Sequence, residues 1–259
     1  MPELPEVETI VRDLAPRLTG RRIAGFEVIA PLVVKTALEG LAGETIRAVR
    51  RHGKTVVLEC GRGVLTIHLG MTGKLLSGGL MTAYTRVVFT LDQGELLYED
   101  VRQFGRIHWG ERMPERLDRL GPDALAISEP DFASRLRSRQ SCIKAMLLNQ
   151  QFLRGLGNIY ADEALFRARM HPRAIASSIS RPRAKALYRA MREVLAEAIE
   201  HRGSSVSDYV DASGARGGFQ QLHRVYGRQN QPCTACGAPI RRIVVAQRGT
   251  HFCPRCQRR

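Results

Sequence analysis

Two groups of residues in this chain have the types and spacing to do chemistry. The first is a set of four cysteines, Cys233, Cys236, Cys253 and Cys256, standing as two C-x2-C pairs with sixteen residues between them. Two such knuckles supply four thiolates, enough to close a tetrahedral zinc site with no open position. Two disulfides would need an oxidising compartment, to which nothing in the sequence points, and a redox dithiol needs only one pair. The spacing therefore predicts one structural Zn²⁺, which folds the segment and takes no part in catalysis. The second group opens the chain: in MPELPEVE, Pro2 is followed by Glu3, Glu6 and Glu8. A secondary amine beside carboxylates could serve nucleophilic and acid–base chemistry. The same residues could equally start a helix, where Pro and acidic side chains suit the first turn and its dipole.

The elements that position these groups can be read from periodicity. Val7, Ile10, Val11 and Leu14 form an apolar face at helical spacing, predicting a helix over Pro5–Leu18 stopped by Gly20. From Arg22 to Trp109 the pattern turns to short β-rich runs with glycine breaks, such as KTVVLEC, GVLTIHLG and RVVFTL. Many short strands predict a sandwich or barrel. A charged, proline-containing stretch then reads as a linker. Helical segments follow, including a long one from about Arg181 to His201. Between the cysteine pairs, Ile240–Ala246 and Thr250–Phe252 read as two strands around Gln247-Arg248-Gly249, a hairpin with a basic tip. In LNQQFLRGLGNIYADEALF, Gly155 and Gly157 make a turn and Asn158 is expected to cap the next helix; a helix start behind such a turn suits a phosphate. Cys60 and Cys142 stand alone and read as small buried hydrophobes.

Composition narrows the partner. The 259 residues carry 40 Lys and Arg against 25 Asp and Glu, a net charge of +15, with 44% hydrophobic residues. That balance fits a folded, soluble protein with a polyanionic partner, nucleic acid before an anionic membrane surface. From Ala212 to Arg259 there are nine Arg and no acidic residue. No apolar run is long enough to span a bilayer, and no secretory leader is evident. An intracellular, cytoplasmic location is expected.

In order along the chain, PELPEVE, RRHGK, HLGMTGKL, EDVRQFGR, GLGNIYADE and VYGRQNQPC with the four cysteines resemble the Fpg/Nei family of formamidopyrimidine-DNA glycosylases. The form PELPE is more similar to the oxidised-purine branch than to the Nei-like pyrimidine branch. The resemblance implies an α+β multidomain fold. Its parts are an N-terminal β-sandwich with a leading helix (1–112), a linker (113–130), a helix–two-turn–helix domain (131–216) and a zinc finger (217–259), with DNA between the domains. It implies a monomeric base-excision enzyme acting on double-stranded DNA that contains oxidised bases or abasic sites, and acting on the nucleoid.

The implied roles follow residue by residue. With Met1 removed, Pro2 would attack C1′ of an extruded nucleotide and form a Schiff base, after which β- and δ-elimination cut the strand. Glu3 would shuttle protons. Glu6 would be a second catalytic carboxylate or, alternatively, a helix-dipole partner. Lys54 would assist β-elimination and Arg248, on the hairpin, would grip phosphate and assist δ-elimination. Lys144 and Asn158 would hold the DNA backbone. Met71, Arg102 and Phe104 would fill the gap left by the extruded nucleotide, in the manner of minor-groove wedges; the duller readings are core for Met71 and Phe104 and surface charge for Arg102.

The chain departs from the pattern at two places. Tyr84, with Arg86 nearby, stands where a phosphate-contacting His often lies, and Gly218 stands where an aromatic is common, in a segment linked to cover over the flipped base. Lesion preference is thus less defined than lesion chemistry. A Nei-like pyrimidine glycosylase and a catalytically silent binder of damaged DNA are the alternatives; loss of Pro2 and Glu3 would mark the silent binder, and both are present. A zinc-ribbon protein of ribosomes or transcription would explain the tail but not the opening.

Overall fold

The computed structural model describes residues 1–258. The chain divides into two compact units, Met1–Arg119 with Ile199–Gln220, and Leu120–Ala198 with Gln221–Arg259.

The first unit begins with α1 (Leu4–Leu18), whose N-cap is Glu3 and whose apolar face, Val7, Ile10, Val11, Leu14 and Leu18, is buried. The strands that follow are β1 (Ile23–Val28), β2 (Ala48–His52), β3 (Thr55–Glu59), β4 (Val64–His68), β5 (Gly73–Ser77), β6 (Thr85–Leu91), β7 (Glu95–Asp100) and β8 (Arg106–Gly110). They form two antiparallel four-stranded sheets, ordered β1-β6-β7-β5 and β2-β3-β4-β8. Apolar residues of both sheets, including Leu58, Leu65, Ile67, Leu75, Phe89 and Tyr98, share one core with the α1 face. This is the two-layer sandwich that the alternating β-rich runs require. A short helix, α2 (Glu115–Asp118), closes the unit's first segment. The second segment, Ile199–Gln220, packs with this unit even though the sequence boundary near 216 assigns most of it to the helical domain.

The second unit contains α3 (Glu129–Arg137), α4 (Ile143–Leu148), α5 (Asn158–Arg167) and the long α6 (from Arg181), which runs to Glu200. Phe132 of α3 packs against Phe152 at 6.3 Å and Tyr188 of α6 at 5.8 Å between ring centroids. Gln150 staples the double turn between α4 and α5: its amide donates to the carbonyls of Leu148 and Leu156 and its oxygen accepts the Gly155 N–H. The unit ends in a hairpin of β9 (Arg241–Val245) and β10 (Arg248–Phe252). Its turn is Ala246-Gln247, with φ of 49° and 59°. The sequence pattern places the turn later, around Gln247-Arg248-Gly249. A two-residue turn with both φ positive twists as the flanking strands do, and this fixes Arg248 as the first residue of β10 rather than the apex. Among the described residues no helix is long and apolar enough to cross a membrane.

Candidate active site

In the first unit the start of α1 gathers the acid–base groups. Pro2 and Glu3 are buried while Met1 is exposed. Glu6 bridges two segments: Oε2 accepts the Glu3 N–H at 2.7 Å and Oε1 accepts the Ser204 N–H at 2.7 Å. The reciprocal bonding of Glu3 and Glu6 is a capping box. Gly203 has φ +79°, and a Cβ there would lie 2.8 Å from Glu6 Oε1, so only glycine allows this approach. Glu6 therefore orders the terminus and the 203–204 loop through backbone contacts.

Lys54 is buried in the two-residue turn between β2 and β3, where His52 pairs with Thr55. The turn is pinned from α1: Glu8 accepts Arg51 Nε at 2.8 Å, and Arg51 donates to the Gly53 carbonyl at 3.0 Å. Burial holds the terminal amino group below its ordinary value. Lys54 pushes the same way, and the carboxylates of Glu3, Glu6 and Asp208 oppose it. His68, at the end of β4, is pushed down to about 4 by burial and by Arg116, Lys54, Arg106 and the terminal amine. Its Nδ1 accepts the Gly70 N–H at 3.1 Å, which suits a neutral ring.

On the same unit, Met71, Arg102 and Phe104 form one cluster. The Arg102 guanidinium lies 4.5 Å from the Phe104 ring centroid and 3.3 Å from Met71 Sδ. Met71 is 43% exposed and Phe104 54%. Gln103 between the arginine and the phenylalanine has φ 53°, a conformation with a cost for a non-glycine residue.

In the second unit the residues assigned to the DNA backbone converge on the hairpin. Lys144 is 0% exposed; its Nζ lies 2.6 Å from Asp162 Oδ1 and donates to Thr250 Oγ1 at 2.8 Å and the Gly249 carbonyl at 3.2 Å. Asn158 donates to the same carbonyl at 2.9 Å. Gly157, not Asn158, is the N-cap of α5, because the Asn158 side chain reaches to β10 instead of folding back on its own helix. Lys144 thus holds the backbone beside Arg248 and does not itself reach solvent. Sequence reasoning passes over the acidic pair in NIYADEALF. Asp162 pairs with Lys144 and accepts the His251 N–H at 2.8 Å; buried Glu163 accepts the amides of Arg224, Val225 and Tyr226. Two adjacent acids on an otherwise apolar helix are the signal available for it.

The four cysteine sulfurs lie within 4.8 Å of one another. The Cys233–Cys256 and Cys236–Cys253 separations are 4.0 and 3.5 Å. A tetrahedron of Zn–S bonds has edges of roughly 3.8 Å, whereas a disulfide would bring sulfurs to about 2 Å. Amides of Ala235 and Cys256 donate to the sulfurs of Cys233 and Cys253 at 3.4 Å, as thiolates require. The donor set fits zinc.

Comparison with known proteins agrees over the whole length. Residues 1–107 match the formamidopyrimidine-DNA glycosylase N-terminal domain, 120–210 its H2TH domain and 230–259 the zinc finger found in FPG and IleRS. Formamidopyrimidine-DNA glycosylase of Solibacter usitatus (strain Ellin6076) is 54% identical over 265 aligned residues, covering 100% of both chains. The crystal structure of the Fpg protein from Thermus thermophilus superposes with a TM-score of 0.91 at 44% identity, covering 99% of this chain and 98% of that one. The complex of Lactococcus lactis Fpg with DNA containing an abasic site gives 0.90 at 35%, covering 99% and 100%. With the sandwich, the double-turn helices and the four-cysteine hairpin all in place, the chain belongs to the formamidopyrimidine-DNA glycosylase family.

Proposed function

We propose that the protein excises oxidised purines, 8-oxoguanine and formamidopyrimidines, from double-stranded DNA and cuts the strand at the abasic site that results. The observation that supports the mechanism is the placement of Pro2 and Glu3, both buried at the start of α1, with Glu3 held in the capping box by Glu6. Excision requires the damaged nucleotide to leave the stack. Met71, Arg102 and Phe104 fill the gap.

Once Met1 is removed, the Pro2 nitrogen attacks C1′ and the base departs with its bonding electrons, protonated in the course of departure. Glu3 moves the proton needed at the sugar. Ring opening gives an iminium between Pro2 and C1′, which acidifies the C2′ protons. Loss of one of them expels the 3′ phosphate, and a second elimination expels the 5′ phosphate. Lys54 and Arg248 assist these departures, and Lys144 and Asn158 support Arg248 through the Gly249 carbonyl. Zinc, when bound by the four cysteines, supplies structural closure of the hairpin only. The protein works as a monomer in the cytoplasm under this reading.

Borohydride tests the proposal. It is expected to reduce the iminium and leave a covalent protein–DNA adduct, with the link on Pro2 by peptide mapping. An adduct mapped to Lys54 alone, or full activity with Met1 retained, would overturn the mechanism.

A further inference from the structure

We propose that Asp100, with Tyr98 and Thr72, is the positioning residue that sets the geometry of the wedge; the proposal rests on the reading of Met71, Arg102 and Phe104 as that wedge. Asp100 ends β7 and is 0% exposed. Its Oδ1 accepts the Thr72 hydroxyl at 2.5 Å. Its Oδ2 accepts the Gly105 N–H at 2.8 Å and the Tyr98 hydroxyl at 3.1 Å. Thr72 Oγ1 in turn accepts the Arg102 N–H at 3.0 Å. One carboxylate therefore holds the residue after Met71, the residue after Phe104 and, through Thr72, the backbone of Arg102.

The chemistry of the partners explains why the group is a carboxylate. All three are donors, and an ionised carboxylate only accepts. Burial, followed by the neighbouring Asp100 charge, raises the Tyr98 hydroxyl pKa, so Tyr98 remains a donor. Burying a charge is costly without such bonds, and here the bonds go to the flanks of the three exposed side chains, while the sandwich core is built from apolar residues.

The surroundings leave little slack. A Cβ on Gly105 would lie 1.6 Å from Tyr98 Oη, one on Gly73 2.7 Å from the same oxygen, and one on Gly70 2.7 Å from the Gly105 nitrogen. The two loops are thus locked around the Tyr98 hydroxyl and the Asp100 carboxylate. An Asn at 100 would turn one acceptor into a donor facing a donor, and one loop must shift against the other.

The test is single-turnover excision from an 8-oxoguanine duplex by Asp100→Asn, alone and in a background carrying Met71→Ala, Arg102→Ala and Phe104→Ala together. Misplacing a positioned group by about 1 Å costs up to about a hundredfold, so Asp100→Asn is expected to slow excision about ten- to a hundredfold in the otherwise native protein. In the background lacking all three wedge side chains it is expected to cost less than about twofold, because coupled residues are not additive. Binding to undamaged duplex stays within about twofold, since phosphate contacts dominate it. The fluorescence rise of 2-aminopurine placed beside the lesion slows in parallel. Should Asp100→Asn fail to fold, Tyr98→Phe and Thr72→Val each remove one donor and are expected to show the same non-additivity with smaller losses. An equal loss in both backgrounds, or native excision by Asp100→Asn while Phe104→Ala is slow, overturns the positioning role. If Phe104→Ala and Met71→Ala are themselves as fast as native, the wedge reading fails first.

Discussion

Glu3 and Glu6 are three residues apart and do different work. Both Glu6 oxygens accept backbone amides, so Glu6→Gln turns an amide group toward an N–H donor. The expected loss is about 1–3 kcal/mol of stability, read by denaturant unfolding. Glu3→Gln is expected to retain fold and DNA binding and to lose base excision, while cutting of a preformed abasic site largely survives because the base has already left. Equal loss on both substrates would remove Glu3 from the excision step. Lys144 gives a third prediction. Lys144→Met strands Asp162 as a buried charge, and breaking such a pair costs about 3–5 kcal/mol; Lys144→Met with Asp162→Leu is expected to recover part of it. Gly218 has no positive φ, and a Cβ there would meet only the His201 carbonyl at 3.7 Å. Gly218→Tyr is therefore expected to fold normally, and any change in the ratio of 8-oxoguanine to formamidopyrimidine excision reports on that segment.

At the level of elements, the hairpin holds its own strain. Ala246 and Gln247 both adopt positive φ without being glycine. Replacing them with Asn-Gly, the pair suited to this turn, is expected to stabilise the hairpin by about 1 kcal/mol and to slow zinc release to a chelator. Unchanged release would mean the turn stays closed while the metal leaves. The same hairpin shows where sequence reading stops. Its cysteines were legible because metal ligation fixes their spacing, and α1 was legible because its apolar face repeats at helical period. The register of Arg248 was not, since turn type depends on strand twist and not on residue preference when no Gly or Asn occupies the turn. Nor was the burial of Lys144: a lysine in IKAMLL carries no mark of its partner, which stands eighteen positions away in another helix. Asp100 sits in the recognised EDVRQFGR segment, yet its three donors come from residues 72, 98 and 105 and only the fold assembles them.

For the molecule as a whole, two histidines tie stability to pH. His68 and His223 are each pushed down to about 4 from 6.5, chiefly by burial. Between those values the unfolded chain binds more protons than the folded one, so stability rises with pH through the window. It is fully present above about 6.5 and is lost as pH falls toward 4. His68→Gln and His223→Gln are expected to flatten the profile of unfolding midpoint against pH; a profile unchanged by both would place acid sensitivity elsewhere. Metal removal is local by comparison. Cys253→Ser is expected to lose zinc and DNA affinity while the sandwich unit keeps its unfolding transition, because the cysteine cluster packs with Phe166, Val225 and Ile240 of its own unit.

The sandwich unit is made from two stretches of chain, Met1–Arg119 and Ile199–Gln220. Glu6 waits for the Ser204 amide and Asp13 for Arg202. During synthesis the ribosome must add 85 residues after Arg119 before Ser204 exists, roughly 4–17 s at the usual rate of elongation. Throughout that interval Glu6 lacks the Ser204 amide, and the helices of the other unit are being made. A nascent chain is therefore unable to form the Glu6–Ser204 contact until α3 to α6 have been translated. Arrested chains ending at residue 119 are expected to give no borohydride adduct with abasic DNA, and chains extended through the 199–220 stretch are expected to gain protease resistance in the sandwich. The order of translation thus delays completion of the sandwich unit until α3 to α6 have been made.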